Sequence, residues 1–502
     1  MKIEKAIDSE ISSLNRDSKN IYWNPSPKFE FQLTIPPTVY PPKEDTNLIA
    51  EYLLEIGQVV DKKLIEIGCG SGAISILASK LGWNVHACDI NPYAVIATRG
   101  NADSNGSENI TVTEGGIGPE VGNKKSRKWY GEGNADLIIW NLPYLSPDHI
   151  ENGMLGPLED AALIDFTEEG EGLSKHLRNA IQKTSFILKP NGKIFLLHSN
   201  NTRGNNLQRI WRREGWSTRT LKNSNIGSDE ILTLFATWRP WNNRGIHYLD
   251  SIDSTNKFAL NENLSNGSLV VAKKQTGGRG RKGKSWEEIT ESFKGTWLLN
   301  TNIESPSIMQ CKASLAVIDS ISTILDEEIP SQSNCIPNRF YLDKIGIKWP
   351  NDLVYRKRKF GGILIQSITK GGIDKVAIGI GINCGIISEN DLRDYSPGSL
   401  HEITNYLVEM DEFSRILDAS ISSLFETNYL LPKQQISTLF DTWFKLMRDS
   451  TENGRYRIGK HILTRPIGID SNGHLIVQET NGNQIKPISI SDLDAFSYLI
   501  NQ

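Results

Sequence analysis

At 502 residues the chain is too long for one ordinary hydrophobic core, so two or three domains are expected. Its net charge is only −4 and its sequence pI is near 6.1, which excludes the global basicity by which nucleic-acid binders neutralise many phosphates. The five cysteines (Cys69, Cys88, Cys311, Cys335, Cys384) show no CxxC pairing and no neighbouring histidine cluster, which argues against a zinc site and a disulfide framework and for a reducing compartment. The charged start MKIEKAIDSE and the lack of an apolar run approaching ~20 residues lead us to expect a soluble, cytoplasmic protein with no membrane partner.

From Lys63 to about Thr237 short apolar runs alternate with helical patterns. "KLIEIGCGSG", "NVHACDIN", "NITVTEG", "ADLIIWNLPY", "GKIFLLHSN" and "EILTLFATW" read as strands, with "AISILASKLG" and "PYAVIATRGNADSNG" as helices between them. This is the pattern of a doubly wound, Rossmann-like sheet. The joint "TWRPWNNRG" (237–245) breaks the rhythm. Beyond it strands are expected near 268–272, 296–302, 345–348, 362–368 and 375–380, a helix from about Ser307, and further helices over 401–447. From Gly454 period-two alternation with turns at Ser471-Asn472-Gly473 and Asn481-Gly482 predicts a small β-barrel. No internal repeat relates the halves.

In the first half, "LIEIGCGSG" ends a strand in a turn where Gly68, Gly70 and Gly72 let backbone approach a ligand. Alone, GxGxG fits several nucleotides or a purely structural turn. The next strand ends in Asp89, whose carboxylate is placed to accept both ribose hydroxyls, and together they point to an adenosine-containing cofactor. "NLPY" (Asn141 to Tyr144) closes the fourth predicted strand. Asn141 offers an acceptor and a donor to a planar amide or amidine, the Pro143-Tyr144 backbone fixes an edge, and the Tyr144 ring supplies a stacking wall. The simpler reading is an Asn-Pro turn capping a strand; its place at the carboxyl end of a sheet favours the ligand.

These blocks, with "VYPPKEDTNLIAEYL" (39–53), "EIGCGSG" and "DIN", resemble class I methyltransferases, specifically release-factor glutamine methyltransferases of the archaeal and eukaryotic type. The resemblance implies that Glu44, Asp45 and Thr46 lie against S-adenosylmethionine, with Glu66 and the glycine turn, and that Asn141 holds a glutamine amide. Two departures stand out: Leu142 replaces the motif's first proline, and Gly115 and Gly116 stand where many relatives carry an Asp near the adenine.

In the second half, "GGRGRKGKSW" (277–286) packs four glycines and four cations before an indole. It follows the strand-like "SLVVAKKQT", which favours an ordered anion-binding loop over an RNA-binding tail. Backbone N–H groups and the Arg279 and Arg281 forks suit a carboxylate beside an α-phosphate, and Lys348 is the candidate to neutralise charge at the reacting phosphorus. With "DSIDSTN" (250–256), "KWPND" (348–352), "KFGGIL" (359–364) and "GIGIN" (379–383), residues 246–502 resemble biotin protein ligases. The resemblance implies that Ser254, Thr255, Asn256 and Gln275 hold the ureido end of biotin, that Trp286 and Trp297 wall its apolar body unless they are plain core, that Gly278, Gly280, Asn351, Asp352 and Gly362 belong to the biotin and ATP site, and that Asn383 lies on the adenine side. The insertion "EEITESFK" before Gly295 is longer than usual, and the winged-helix domain of some bacterial relatives is replaced by a methyltransferase.

The fold expected is therefore a multidomain α/β and α+β chain: a methyltransferase domain over 1–240, a class II synthetase-like ligase domain over 241–452, and an SH3-like barrel over 453–502. The resemblances imply S-adenosylmethionine, biotin, and ATP with Mg2+ as cofactors and substrates, no other metal, and a biotin carboxyl carrier domain and a peptide-chain release factor as partners, with no DNA. Rival readings of the first half are a nucleic-acid methyltransferase and a non-catalytic cofactor-binding scaffold.

Overall fold

The computed structural model describes residues 15–118, 129–143, 172–200, 206–227, 229–278, 280, 286, 291–300, 304–326, 344–356, 358–370, 373–387, 397–450, 456–458, 461–481, 484–490 and 496–498. It divides into two compact units. The first comprises Met1–Trp211, Thr218–Arg239 and the short segment Thr427–Pro432; the second holds Arg212–Ser217, Pro240–Glu426 and Lys433–Gln502.

In the first unit, an antiparallel hairpin of β1 (Lys19–Ser26) and β2 (Phe29–Ile35) precedes helix α1 (Glu44–Ile56). There follow β3 (Lys62–Ile67), α2 (Ala73–Lys80), β4 (Trp83–Asp89), α3 (Pro92–Ser104), β5 (Ile110–Glu114), β6 (Ala135–Asn141), α4 (Ser174–Lys183), β7 (Leu188–Ser199), α5 (Leu207–Arg213), β8 (Ser217–Ile226) and β9 (Glu230–Trp238). The sheet order is β5-β4-β3-β6-β7-β9-β8; β5, β4, β3, β6 and β7 run parallel, and β9 is antiparallel to β7. Strands buried on both faces read as near-continuous apolar runs, which is why "DLIIW" on β6 is fully buried. The order reverses beside β3, with β4 on one side and β6 on the other, and a crevice opens there at the carboxyl ends of the strands. Leu430 and Leu431 join this unit's core, and the Tyr52 hydroxyl donates to the Leu430 carbonyl at 3.0 Å.

The second unit is built on a seven-stranded sheet of order β10-β11-β12-β16-β15-β14-β13, formed by β10 (Ile246–Ile252), β11 (Ser268–Gln275), β12 (Ser292–Asn300), β13 (Ile345–Lys348), β14 (Asp352–Tyr355), β15 (Arg358–Lys370) and β16 (Ile373–Asn383). All its pairings are antiparallel except β10 with β11. One face packs against α7 (Pro306–Leu325), α9 (Met410–Phe425) and α10 (Ile436–Ser450), burying Phe293, Trp297, Ile347, Ile378 and Ile380. The other face carries α6 (Thr255–Asn261) over a smaller cluster of Ala259, Leu260, Val270, Leu298 and Ala377. A short helix α8 (Leu400–Thr404) follows β16. The last strands, β17 (Tyr456–Ile458), β18 (His461–Ile469), β19 (Leu475–Asn481), β20 (Gln484–Ile490) and β21 (Phe496–Tyr498), form an antiparallel sheet ordered β20-β19-β18-β17-β21.

One expectation needs correcting. Helix α7 is long and apolar enough to cross a membrane by composition, although the sequence reading found no such run. Its apolar stretch is 89% buried against the sheet and α9, as a central core helix must be.

Candidate functional sites

In the first unit the turn after β3 is held by conformation. Gly70 and Gly72 have φ of 53° and 82°, in the left-handed region that a side chain disfavours. A Cβ at Gly72 would also lie 2.8 Å from Thr98 Cγ2. Asp89, at the end of β4, ties the turn down: its Oδ2 accepts from Gly70 N–H and its Oδ1 from Asn91 N–H, both at 2.9 Å. With the Ile90 N–H these groups occupy three of the carboxylate's four acceptor positions and leave one for a ligand hydroxyl.

Glu66 lies beneath this turn and accepts a hydrogen bond from the Ser75 hydroxyl. Burial pushes its carboxyl up to about 8, against the pull of the Ser75 bond and with a further push from the Asp89 charge. Burial also raises Asp89, opposed by the N–H groups of Asn91, Gly70 and Ile90. Two desolvated carboxylates in one crevice suit a ligand that brings positive charge.

Asn141 ends β6 on the rim of the same crevice, with Tyr40, Asp45, Thr46 and Pro143. Its Nδ2 donates to Asp45 Oδ2 at 2.8 Å, while its Oδ1 is buried without a partner among the described residues. Leu142 donates its N–H to the Leu197 carbonyl at 3.1 Å, a bond that a proline there would lack. Gly115 and Gly116 line the crevice on its far side, and a Cβ at Gly116 would meet Ile90 Cγ2 at 2.4 Å.

In the second unit the candidate site is a sheet face cleared by glycines. Along β12, Phe293, Trp297 and Leu299 point into the helix-covered core, so Ser292, Lys294 and Thr296 occupy the opposite face. There the Thr296 hydroxyl sits 2.8 Å from Thr255 Oγ1 and 2.7 Å from Asn256 Oδ1. Thr255 donates to Gln275 Oε1 through its N–H (2.8 Å) and its hydroxyl (3.2 Å), and Asn256 Nδ2 donates to the Leu364 carbonyl and to Gln366 Oε1. Ser254 caps α6, accepting from Lys257 N–H. Gly379 makes room for this network, since a Cβ there would stand 2.3 Å from Asn256 Oδ1.

Trp286 lies over the neighbouring bare patch; a Cβ at either Gly362 or Gly381 would come within 3.0 Å of its ring. Its backbone N–H donates to the Gly278 carbonyl at 2.9 Å, and Lys359, ion-paired to Asp352 at 2.7 Å, places its ammonium 5.3 Å from the ring centroid. Lys348 ends β13 opposite Asp352, Asn351 donates to the Ile363 carbonyl, and Asn383 donates to the Gly398 carbonyl while its Oδ1 is buried without a partner among the described residues.

Two family profiles match the chain: the biotin/lipoate A/B protein ligase family over residues 248–383, and ribosomal protein L11 methyltransferase (PrmA) over residues 45–142. Among characterised relatives, a biotin--[acetyl-CoA-carboxylase] ligase of Paracoccus denitrificans is 28% identical over 255 residues, 47% of this chain and 95% of its own. A release factor glutamine methyltransferase of Lactococcus lactis is 27% identical over 206 residues, 38% of this chain and 71% of its own. The solved biotin protein ligase of Aquifex aeolicus in complex with biotin and ATP aligns with 50% of this chain and 98% of its own at 24% identity and a TM-score of 0.40. The chain joins a methyltransferase region to a biotin protein ligase region.

In the methyltransferase unit, the structure gathers Asp45, Thr46, Glu66, Gly68, Gly70, Asp89, Asn141 and Pro143 around one crevice. Glu44 is exposed on the first turn of α1 and does not line it. Gly72 is not among the lining residues, and its positive φ and close packing on Thr98 both call for glycine there. In the ligase unit Trp297 is a correction: it is fully buried in the helix-covered core, its Nε1 donating to Asp418 Oδ1 at 2.8 Å, because its alternation parity matches Phe293 and not Thr296. Tyr144, Arg279 and Arg281 lie outside the described residues, and Gly280 is described without a resolved contact. Sequence reading missed Lys294, which is 2% exposed, lies on the site face in register with Gly381, and donates to Ser292 Oγ at 3.3 Å. The signal was a lysine interrupting the apolar run "SFKGTWLL". It also missed the pairing of Asp45 with Asn141.

Proposed function

We propose that the chain is a bifunctional enzyme that transfers methyl from S-adenosylmethionine to a protein glutamine amide and ligates biotin to a carrier-protein lysine. The observation that carries the first activity is Asn141, whose buried, open acceptor stands at the strand end beside the glycine turn and Asp89. The residues fit the cofactor: Asp89 keeps an acceptor position for a ribose hydroxyl, and Glu66, protonated below about pH 8, would be drawn to ionise by a ligand that brings a sulfonium and an ammonium. The cofactor supplies an electrophilic methyl group; the protein's part is to hold the acceptor nitrogen in line with it.

For the second activity the supporting observation is the Thr255–Gln275–Asn256–Thr296 network on a face cleared by Gly379, with Trp286 over Gly362 and Gly381. A polar bicyclic head suits the network and an apolar body suits the indole. The biotin carboxylate attacks the α-phosphorus of ATP, expelling pyrophosphate, and the carrier lysine then attacks the mixed anhydride, expelling AMP. Lys348 and the Arg279 and Arg281 loop stabilise the charge, with Mg2+ accompanying ATP. The carrier is a biotin carboxyl carrier domain, and the reactions take place in the cytoplasm, where buried free thiols such as Cys69 and Cys384 persist.

The methyl acceptor is a release factor, as for the Lactococcus lactis relative; the L11 methyltransferase profile favours a ribosomal protein as the second reading. The test is mass spectrometry of a release factor, ribosomal protein L11 and a biotin carrier domain after incubation with S-adenosylmethionine, biotin and ATP. A mass gain of one methyl on the release-factor glutamine and of one biotinyl group on the carrier is expected. A methyl on L11 alone selects the second reading, and no gain on either methyl acceptor overturns the first activity.

A further inference from the structure

One hydrogen bond spans 96 residues of sequence to join the methyltransferase crevice to the helix before it. Asn141 Nδ2 donates to Asp45 Oδ2 at 2.8 Å. An ionised carboxylate has only acceptors, so the amide must turn its nitrogen toward Asp45 and its oxygen away. That oxygen is buried and without a partner among the described residues. Asp45 is itself fixed: it is 2% exposed, its Oδ1 accepts from the Thr46 N–H at 2.7 Å, and it sits in the first turn of α1, where the helix dipole favours negative charge.

We propose that Asp45 is a positioning residue that locks the Asn141 amide, so that the site offers an acceptor and selects a reacting nitrogen that carries hydrogen, the –NH2 of a glutamine amide over the carboxylate of glutamate. The inference rests on the glutamine methyltransferase reading and deepens it. A glutamine N–H satisfies the Asn141 oxygen. A glutamate carboxylate sets acceptor against acceptor and leaves both unsatisfied, which is the strong form of polar discrimination. Asp45 touches neither group; it removes the amide flip that would turn Nδ2 toward a carboxylate.

The test measures binding of two fluorescent release-factor peptides, with glutamine or glutamate at the acceptor position, to the full chain in the presence of S-adenosylhomocysteine. The amide introduced by Asp45→Asn can donate to Asn141 Oδ1, freeing Asn141 to present Nδ2. Asp45→Asn should therefore weaken the glutamine peptide and strengthen the glutamate peptide, cutting the preference by about tenfold or more. A purely structural loss would weaken both alike. Unchanged preference overturns the proposal. If wild type binds neither peptide, the release-factor reading falls, and the lock is read without substrate. In protein labelled with 15N-asparagine, the side-chain resonance that Asn141→Ala removes should move in Asp45→Ala; a resonance that stays in place overturns the role of Asp45 on its own.

Discussion

The two candidate sites solve ligand binding in opposite ways. The methyltransferase crevice lies at the ends of parallel strands and is made of side chains tied to one another and to the turn: Asp89 to Gly70, Glu66 to Ser75, Asp45 to Asn141. The ligase site lies on the flat of an antiparallel sheet and is made by removing side chains, with Gly362, Gly379 and Gly381 clearing floor for Trp286 and Asn256. The first site invests in buried carboxyl groups and the second in space. A substitution should therefore act through charge and hydrogen bonds in one and through volume in the other.

The sharpest way to break this comparison is Asn141→Ala, which should slow methyl transfer about 100-fold or more while leaving S-adenosylmethionine affinity nearly unchanged, since the role proposed for Asn141 is to hold the acceptor. Methyl incorporation beside calorimetry reads both; equal rates in mutant and wild type would remove Asn141 from the chemistry. Next is Gly379→Ala. Its Cβ would land 2.3 Å from Asn256 Oδ1, so Asn256 must leave its partners, and overpacking of this kind costs about 1–3 kcal/mol. Biotin affinity should fall about tenfold to a hundredfold in titration calorimetry; undiminished affinity would mean that the cleared face is not the biotin floor.

Asp89→Ala should weaken S-adenosylmethionine by about 1–3 kcal/mol through lost charge-assisted hydrogen bonds. Asp89→Asn keeps the shape but can accept from only one of the Gly70 and Asn91 N–H groups, so it too should weaken binding, by less than Asp89→Ala. Unchanged affinity in both variants, read by calorimetry, would remove Asp89 from the cofactor site. The smallest effect is a pH slope. Glu66 titrates at about 8 in the folded protein against 4.5 in the ordinary state, so the folded chain holds a proton that the unfolded chain releases between those values. This contribution to stability is complete below pH 4.5 and is lost as pH rises through about 8, at up to about 1.4 kcal/mol per pH unit. His198, depressed by burial to about 4, has the opposite sign: its contribution is present above 6.5 and is lost as pH falls through 4. Glu66→Gln should remove the fall in stability between pH 4.5 and about 8 in a thermal-melt series and leave the opposite His198 slope between 4 and 6.5; a fall that persists above pH 6.5 would place the proton elsewhere.

Much of the sheet framework was legible. Strands β6 and β7 carry the apolar runs "LIIW" and "IFLL", as parallel strands buried on both faces do, while β3 and β4, with Glu66 and His86 inside them, were marked by the turn residues that follow them. β8 was not legible because it is the polar edge strand "STRTLKNSNI", β14 because four residues carry no period, and the β1–β2 hairpin because Pro25 lies within β1 and Pro27 in its turn. In the sites, glycines and carboxylates next to strand ends could be read locally. The partnership of Asp45 with Asn141 could not, since only folding brings residues 96 apart together. Trp297 was within reach: its parity with Phe293 and Leu299, against Thr296, places it in the core.

The segment Thr427–Pro432 bears on how the protein can be dissected at the bench. A fragment ending at residue 240 looks natural from the sequence, yet it would omit Leu430 and Leu431 from the core to which they belong and leave the Tyr52 hydroxyl without its carbonyl. Such a fragment should be expressed with residues 427–432 grafted or supplied as a peptide. A loss of methyl transfer in the bare fragment would otherwise be misread as dependence on the ligase.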